Sequence, residues 1–226
     1  MVNLGRNQAL SFEGGAMLTY LFDASAAVEI YAPRDDQTNG AARYIPEQKT
    51  TYCQAALFIP NICIAEVFNT LARKYFKPRE GEAIDRERYE RHLAHFREDV
   101  HWGKTLYPYD VNRYHIIAAD RIMPVEHDIA SKDARDHMST FDILVIAMAC
   151  ELAYLGQRED TFLVTCDYTM KQVSDELKNS GRRRLMVAGT LGTLDRKRWV
   201  PPPCLYLPRL ARGELKHLPT QPAFNL

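Results

Sequence analysis

Short apolar runs rich in β-forming residues alternate with segments of helical spacing along most of this chain, and that alternation is what most restricts its fold. Residues 18–22 have the pattern of a buried strand, and a helical pattern over 24–31 follows at once. Further strands are predicted at 57–59, 162–165 and 185–188. Strands that alternate with helices favour a mainly parallel sheet with helices on both faces. The predicted fold class is therefore α/β, with three layers in the order α/β/α.

The remaining segments carry helix, turn or loop signals. Helices are predicted at 43–55, 61–77, 82–102, 111–122, 139–155 and 168–179, with a turn or strand end at 107–110 and a loop over 126–138. The proline-rich tail from Trp199 is expected to add at most an edge strand at 204–207, because proline lacks a ladder donor. We predict an N-terminal extension over 1–16, a main domain over 17–198, and a tail over 199–226 that packs on or beside it.

Composition describes an ordinary globular chain and excludes several classes of function. Lys plus Arg and Asp plus Glu both number 29, so the formal net charge is +0 and nucleic acid could be attracted only by a local basic patch. The five cysteines are odd in number and form no Cys-x-x-Cys pair, which favours reduced thiols and a cytoplasmic location. No apolar stretch approaches the length of a membrane span, and the polar N-terminus is no signal peptide, so we expect no membrane partner.

Four acidic residues each stand where an apolar run gives way to a helix-like segment: Asp23, Glu66, Asp142 and Asp167. Ligand sites of open α/β sheets lie outside the carboxyl ends of the strands, and carboxylates gathered there repel one another unless a cation lies between them. Each aspartate is explained equally well as a helix cap, and Asp142 is at the capping-box distance from Ser139. Glu66 is harder to explain in this way, because its helix neighbours are apolar and a buried acid needs a partner or a metal.

Four motif segments in a fixed order resemble those of the PIN-domain ribonucleases, and most of all the VapC-type toxins of toxin–antitoxin pairs. They are Asp23-Ala-Ser25 after a strand, Pro60 to Ala65-Glu66 on a helix, Ser139-Thr-Phe-Asp142 opening an apolar helix, and Val164-Thr-Cys-Asp167. The resemblance covers about residues 17–190. Two features depart from the family: Tyr168 stands where many relatives have a second acid, and the stretch between Glu66 and Asp142 is longer than in compact members.

The resemblance implies a PIN-like nuclease domain in which Asp23, Glu66, Asp142 and Asp167 bind Mg²⁺ or Mn²⁺ and are the catalytic residues. Ser25 and Thr165 would be supporting hydroxyls. Hard cations of this kind prefer carboxylate oxygens and water, and they can activate a water for attack on a phosphodiester. The expected activity is a metal-dependent endoribonuclease.

Two further residues and several partners complete the sequence-based expectations. Asn69 and Arg73 follow Glu66 by three and seven residues, so they share its helix face and either contact phosphate near the metal or are simply solvated. The resemblance implies an RNA substrate, a cognate antitoxin protein and a homodimer. The alternative interpretation is a non-catalytic PIN-fold module that binds RNA or protein through a weakened metal site.

Overall fold

The computed structural model describes residues 18–32, 55–79, 83–101, 105–133, 137–156, 161–179 and 201–207. Within these ranges the chain forms a five-stranded sheet in which every neighbouring pair of strands is parallel. The strands are β1 (Leu18–Phe22), β2 (Ala55–Pro60), β3 (Tyr107–Tyr109), β4 (Thr161–Thr165) and β5 (Cys204–Tyr206), in the spatial order β3-β2-β1-β4-β5.

Six helices pack against this sheet in the described part of the chain. They are α1 (Ala24–Tyr31), α2 (Asn61–Phe76), α3 (Arg86–His101), α4 (Arg113–Asp133), α5 (Thr140–Gly156) and α6 (Tyr168–Asn179). The connections from β1 to β3 step toward one edge of the sheet, whereas those from β3 to β5 step the other way. Right-handed crossovers therefore place α1 to α3 on one face and α4 to α6 on the other. The contacts agree, because α1 packs with α2 and α3, and α4 packs with α5 and α6.

The central strand β1 shows why the apolar runs become buried strands. Leu21 is fully buried, and its neighbours across the ladder are Phe58 on β2 and Leu163 on β4. A parallel strand covered by helices on both faces has no solvent side, so its sequence is a continuous apolar run and does not alternate. The predicted α/β/α fold class with a parallel sheet is confirmed.

Several predicted boundaries are wrong. β2 begins at Ala55 and not at residue 57, and α3 begins at Arg86 and not at residue 82. The helix predicted at 111–122 is α4, which continues to Asp133, so most of the loop predicted over 126–138 is helical. An apolar stripe lies between the charged residues of this segment, because Ile122, Val125 and Ala130 are all buried at helical spacing. Burial of that stripe holds the helix together in spite of Pro124 within it.

The proline-rich tail contributes the edge of the sheet. β5 pairs with β4 through Leu163 opposite Cys204 and Val164 opposite Leu205. The edge strand predicted at 204–207 is thus confirmed, and the predicted turn or strand end at 107–110 is strand β3. The domain bounds stay predictions, and the helix predicted at 43–55, apart from Ala55 in β2, and the strand predicted at 185–188 lie outside the described residues. No described helix is both long and apolar enough to span a membrane.

Candidate metal centre

A cavity of about 440 Å³ opens at the carboxyl edge of the sheet. We call it the acid-lined cavity; its lining residues are Asp23, Ala24, Ser25, Glu66, Asp142, Cys166, Asp167, Tyr168 and Tyr206. Because β1, β4 and β5 run parallel and end beside one another, the residues that follow them meet at this edge. Asp23 and Asp167 lie there for this reason, whereas Glu66 comes from α2 and Asp142 from α5. All four predicted acids thus line one cavity, although they come from four distant segments.

Asp23 is the most deeply placed of the four acids, with 4% of its surface exposed. It caps α1 by accepting a 2.7 Å hydrogen bond from the backbone N–H of Ala26. The Thr165 hydroxyl donates to its Oδ2 at 2.6 Å, and the Ser25 hydroxyl lies 2.8 and 2.9 Å from its two oxygens. Burial raises the pKa of Asp23 to about 6, against the opposing effect of these hydrogen bonds and with a small addition from the charge of Asp142.

The two hydroxyls next to Asp23 also join β1 to β4. Ser25 Oγ accepts from the backbone N–H of Cys166 at 2.9 Å, and Thr165 Oγ1 accepts from that of Asp167 at 2.8 Å. The Asp23 N–H donates to the Val164 carbonyl at 3.0 Å. These bonds fix the spacing between the segments that carry Asp23 and Asp167.

Asp142 and Asp167 both serve as helix caps at the rim of the cavity. Ser139 donates its hydroxyl to Asp142 Oδ2 at 2.7 Å and its N–H at 3.1 Å, which is the capping box suggested by the sequence. Asp167 Oδ1 accepts from the N–H of Thr169 at 2.7 Å. Burial and then the charge of Asp167 raise the pKa of Asp142, although the bonds from Ser139 oppose this. Each cap uses one carboxylate oxygen, so capping and cavity lining coexist.

Glu66 lines the cavity from α2. The expectation from the sequence, that Glu66 is buried among apolar helix neighbours, is wrong. The residue is exposed, and the buried positions around it are Cys63 and Val67 on the neighbouring helix face. Loss of water around its carboxylate at the cavity wall, and then the charge of Asp142, raise its pKa, while Arg73 lowers it. Its nearness to the other acids, and not burial among apolar neighbours, is what links it to the cavity.

Asn69 and Arg73 lie outside the lining of the acid-lined cavity. Both are exposed on α2 beyond Glu66. Arg73 is near enough to Glu66 for its positive charge to lower the pKa of the Glu66 carboxyl group. The structure thus links Arg73, through its charge, to one of the acids that line the cavity.

The side chains of the cavity suit a hydrated hard cation. Oxygen donors dominate its polar lining, and no lysine, arginine or histidine is among the described residues that form it. Within the described ranges, however, no three His, Cys, Asp or Glu side chains form a ligand group that could hold a metal ion as they stand. Mg²⁺ usually keeps several of its waters and takes only one or two protein carboxylates, so an open cavity of this volume fits it better than a closed ligand cage would.

A second polar cluster holds the other end of α5. Glu151 lies nine residues after Asp142 and is buried away from the cavity, where it accepts bonds from Tyr109 at 2.6 Å and from Asn112 at 3.1 Å. His115 accepts the Asn112 N–H at Nδ1, so its Nε2 carries the proton donated to Glu151 at 2.5 Å. Burial raises the pKa of Glu151, but the bonds from His115 and Tyr109 outweigh it and hold that pKa below its usual value.

Sequence reasoning missed the aromatic part of the cavity. Tyr168 begins α6 and Tyr206 ends β5, and their rings meet edge to face with centroids 5.5 Å apart. Tyr206 belongs to the tail, whose edge strand was predicted without a position in the sheet. The pairing of β5 with β4 was the missing information, because it alone brings Tyr206 beside Asp167.

The chain is similar to three solved structures of low sequence identity. VapBC2 from Rickettsia felis, bound to a DNA fragment from its promoter, shares 14% identity at a TM-score of 0.42, over 69% of this chain and 93% of that one. DNA-bound VapBC from Salmonella typhimurium shares 13% at 0.41, over 69% and 92%. PAE2754 from Pyrobaculum aerophilum shares 20% at 0.34, over 70% and 87%. VapBC structures thus stand among the similar structures, as the motif resemblance led us to expect.

No protein-family model matches the sequence, and no curated protein does. At the TM-scores above, the solved structures carry no argument about activity. The fold assignment depends on the strand order and layering of the chain itself.

Proposed function

We propose that the protein is a Mg²⁺- or Mn²⁺-dependent endoribonuclease whose catalytic, metal-binding residues are Asp23, Glu66, Asp142 and Asp167. One observation carries the proposal: four carboxylates from four separate segments line a single cavity at the carboxyl edge of the parallel sheet. Burial and mutual repulsion raise the pKa of Asp23, Glu66 and Asp142. A cation among them would relieve this repulsion, and a substrate phosphate could not approach without one.

The cation would supply an activated water and stabilise the leaving oxygen of an RNA phosphodiester. The residues of the chain hold the carboxylates in place for it. Asp23 is fixed by Ser25, Thr165 and the Ala26 N–H, so it is oriented before any ligand arrives. Asp142 keeps Oδ1 outside its capping box. Preorganised ligands of this kind lose little entropy on binding.

The same proposal extends to two further residues of α2 and to the partners of the protein. Asn69 and Arg73 would contact substrate phosphate on the α2 side, which the exposure of both residues permits. The motif resemblance supports an RNA substrate, a role as the toxin of a toxin–antitoxin pair with a cognate antitoxin, a homodimer and a cytoplasmic location. A small DNA-binding protein encoded in the neighbouring reading frame is the observation that would support the toxin role.

RNA cleavage by Asp23→Asn and Asp142→Asn variants tests the activity. Both should lose cleavage in Mg²⁺ and in Mn²⁺, since each removes a charged cavity oxygen while an amide can still cap its helix. Asp120→Asn is the matched control, because the Asp120 side chain is 82% exposed on α4, and it should cleave like the parent. If the two cavity variants cleave as well as this control, the site assignment is wrong.

Calorimetric titration with each cation distinguishes the enzyme from a binding module. The parent chain should bind Mg²⁺ or Mn²⁺, and Asp142→Asn should bind it more weakly. A parent chain that binds neither cation and cleaves no RNA would favour the non-catalytic alternative, for which the missing ready-made ligand group in the described residues is the supporting observation.

A further inference from the structure

One tyrosine separates the acid-lined cavity from a neighbouring cavity. Tyr168 lines both, since it follows Asp167 at the cavity rim and begins α6. The second cavity has a volume of about 360 Å³ and is lined by Ile129, Lys132, Tyr168, Lys171, Gln172, Asp175, Glu176 and Asn179. The Tyr168 residue is 46% exposed. Tyr168 is thus the residue that the two cavities share.

The ring of Tyr168 is held in place by a second aromatic residue. Tyr206, at the end of β5, contacts it edge to face at 68° with the centroids 5.5 Å apart. Such a contact orients the ring beyond what burial of area alone would do. An oriented and partly exposed ring next to a cavity is the surface on which an unpaired base stacks in proteins that bind single strands.

The two cavities differ in their charged side chains. Four carboxylates line the first cavity, whereas Lys132 and Lys171 line the second. A phosphate that lies with a cation among the acids is followed along the strand by a base at Tyr168.

Stacking must supply most of the affinity for such a strand. The lysines of the second cavity are balanced there by Asp175 and Glu176, and Lys171 forms an ion pair with Asp175. With two positive and two negative side chains, the second cavity attracts phosphate only weakly. A π-face can stack on any base, so stacking on Tyr168 does not depend on the two lysines.

We propose that Tyr168 is a stacking platform for an unpaired base of single-stranded RNA, next to the phosphate held in the acid-lined cavity. This inference is built on the proposed nuclease function of that cavity. It names the substrate class, because bases in a duplex are already stacked on one another and cannot offer a face to the ring. It also gives a role to the tyrosine that stands where many PIN-domain relatives have a second acid.

Two variants separate stacking from the mere filling of space. Tyr168→Phe keeps the flat ring, and Tyr168→Leu keeps apolar volume without it. The probe is a fluorescein-labelled single-stranded oligoribonucleotide of about eight nucleotides, within the usual site sizes for such proteins. Its anisotropy is measured in an Asp142→Asn background, so that the strand is not cut, with Mg²⁺ raised until the weakened cation site of this variant is filled. Urea melts of both variants establish that each is folded.

We expect Tyr168→Leu to lower the affinity for the single strand on the order of 10-fold relative to Tyr168→Phe. The same strand annealed to its complement should bind more weakly and should not distinguish the two variants. In the cleavage-competent chain, Tyr168→Leu should raise KM and leave kcat little changed. Equal single-strand affinity of the two variants, or equal affinity for single strand and duplex, would overturn the platform.

The binding comparison remains decisive even if the nuclease proposal fails. A parent chain that cleaves no RNA in either cation refutes the proposed activity, while the 10-fold difference between the Tyr168 variants still supports the stacking role. Conversely, RNA cleavage without a difference between the Tyr168 variants would support the nuclease activity and refute the stacking platform.

Discussion

Replacing Asp23 by asparagine should remove a large part of the pH dependence of stability in the metal-free protein. The residue is 4% exposed, and burial raises its pKa from 3.8 to about 6. The folded state therefore binds the Asp23 proton more tightly than the unfolded state does. An asparagine at this position cannot titrate, so its contribution does not change with pH.

The sign and size of the effect follow from proton linkage. Between the two pKa values the folded state carries the proton and the unfolded state has lost it, so the free energy of unfolding falls as pH rises through this window. A shift of about two pH units corresponds to about 3 kcal/mol, which is fully lost above the folded-state pKa. Glu66 and Asp142 also have raised pKa values, so their contributions to the free energy of unfolding have the same sign. Both residues are present in the parent chain and in Asp23→Asn.

The substitution also has a cost that does not depend on pH. Asparagine has one acceptor oxygen, so it cannot accept from the Ala26 N–H, Ser25 and Thr165 together as the carboxylate of Asp23 does. A lost or unsatisfied buried hydrogen bond costs about 1–3 kcal/mol. The stability difference at one pH therefore mixes two effects. Its change between two pH values isolates the titration of Asp23.

Urea unfolding in EDTA at about pH 4 and about pH 8 measures this change. Because the unfolded-state carboxyl is already partly ionised at about pH 4, the parent chain should lose about 2.4 kcal/mol relative to Asp23→Asn on moving from acid to alkaline pH. The exposed control Asp120→Asn should follow the parent to within about 0.5 kcal/mol at both pH values. Parallel pH profiles for the parent and Asp23→Asn would refute the claim that Asp23 is buried with a raised pKa.

Three further outcomes follow from the same contacts. Mg²⁺ or Mn²⁺ at a hundred times its Kd should stabilise the parent chain by about 2.7 kcal/mol and so raise its melting temperature. The rise should be smaller in Asp142→Asn at the same cation concentration, and an unchanged midpoint in the parent chain would contradict the shared cation site. Thr165→Val removes the donor to Asp23 and should cost about 1–3 kcal/mol, more at alkaline than at acid pH, which urea melts at both pH values will show. Glu151→Gln breaks the charged bond to His115 and should cost about 1–3 kcal/mol without loss of cation binding, measured by urea unfolding and calorimetry; weaker cation binding would mean that the two ends of α5 are coupled.

The sequence was sufficient to predict the elements whose burial pattern is regular along their length. β1 and β4 are continuous apolar runs because both faces of a parallel strand are covered, and α6 has one clear apolar stripe of Met170, Val173 and Leu177. The predicted limits of these elements are confirmed within one residue. Local pattern suffices here because the tertiary environment of each element is uniform along its length.

Features that depend on distant pairing were not predictable from local pattern. The continuation of α4 past Pro124 requires knowledge of what buries Val125 and Ala130. The position of Tyr206 in the cavity requires the pairing of β5 with β4, which is a contact between distant segments. Glu66 was explained by burial, although it is exposed and is linked to the site through the charge of Asp142.

Capping and cation binding, which the sequence presents as alternatives for the three aspartates, are compatible in the structure. A residue between a parallel strand and the helix that follows it lies both at the helix N-terminus and at the carboxyl edge of the sheet. Asp23 and Asp167 lie at such junctions, after β1 and β4, whereas Asp142 lies in the first turn of α5, which follows α4. The capping hydrogen bonds of all three hold their carboxylates still where a cation would bind. Glu66 lies in the second turn of α2 and has no such cap. Loss of Glu66 should thus weaken cation binding less than loss of Asp23, because Asp23 is held by three donors, whereas Glu66 must be ordered by the cation itself.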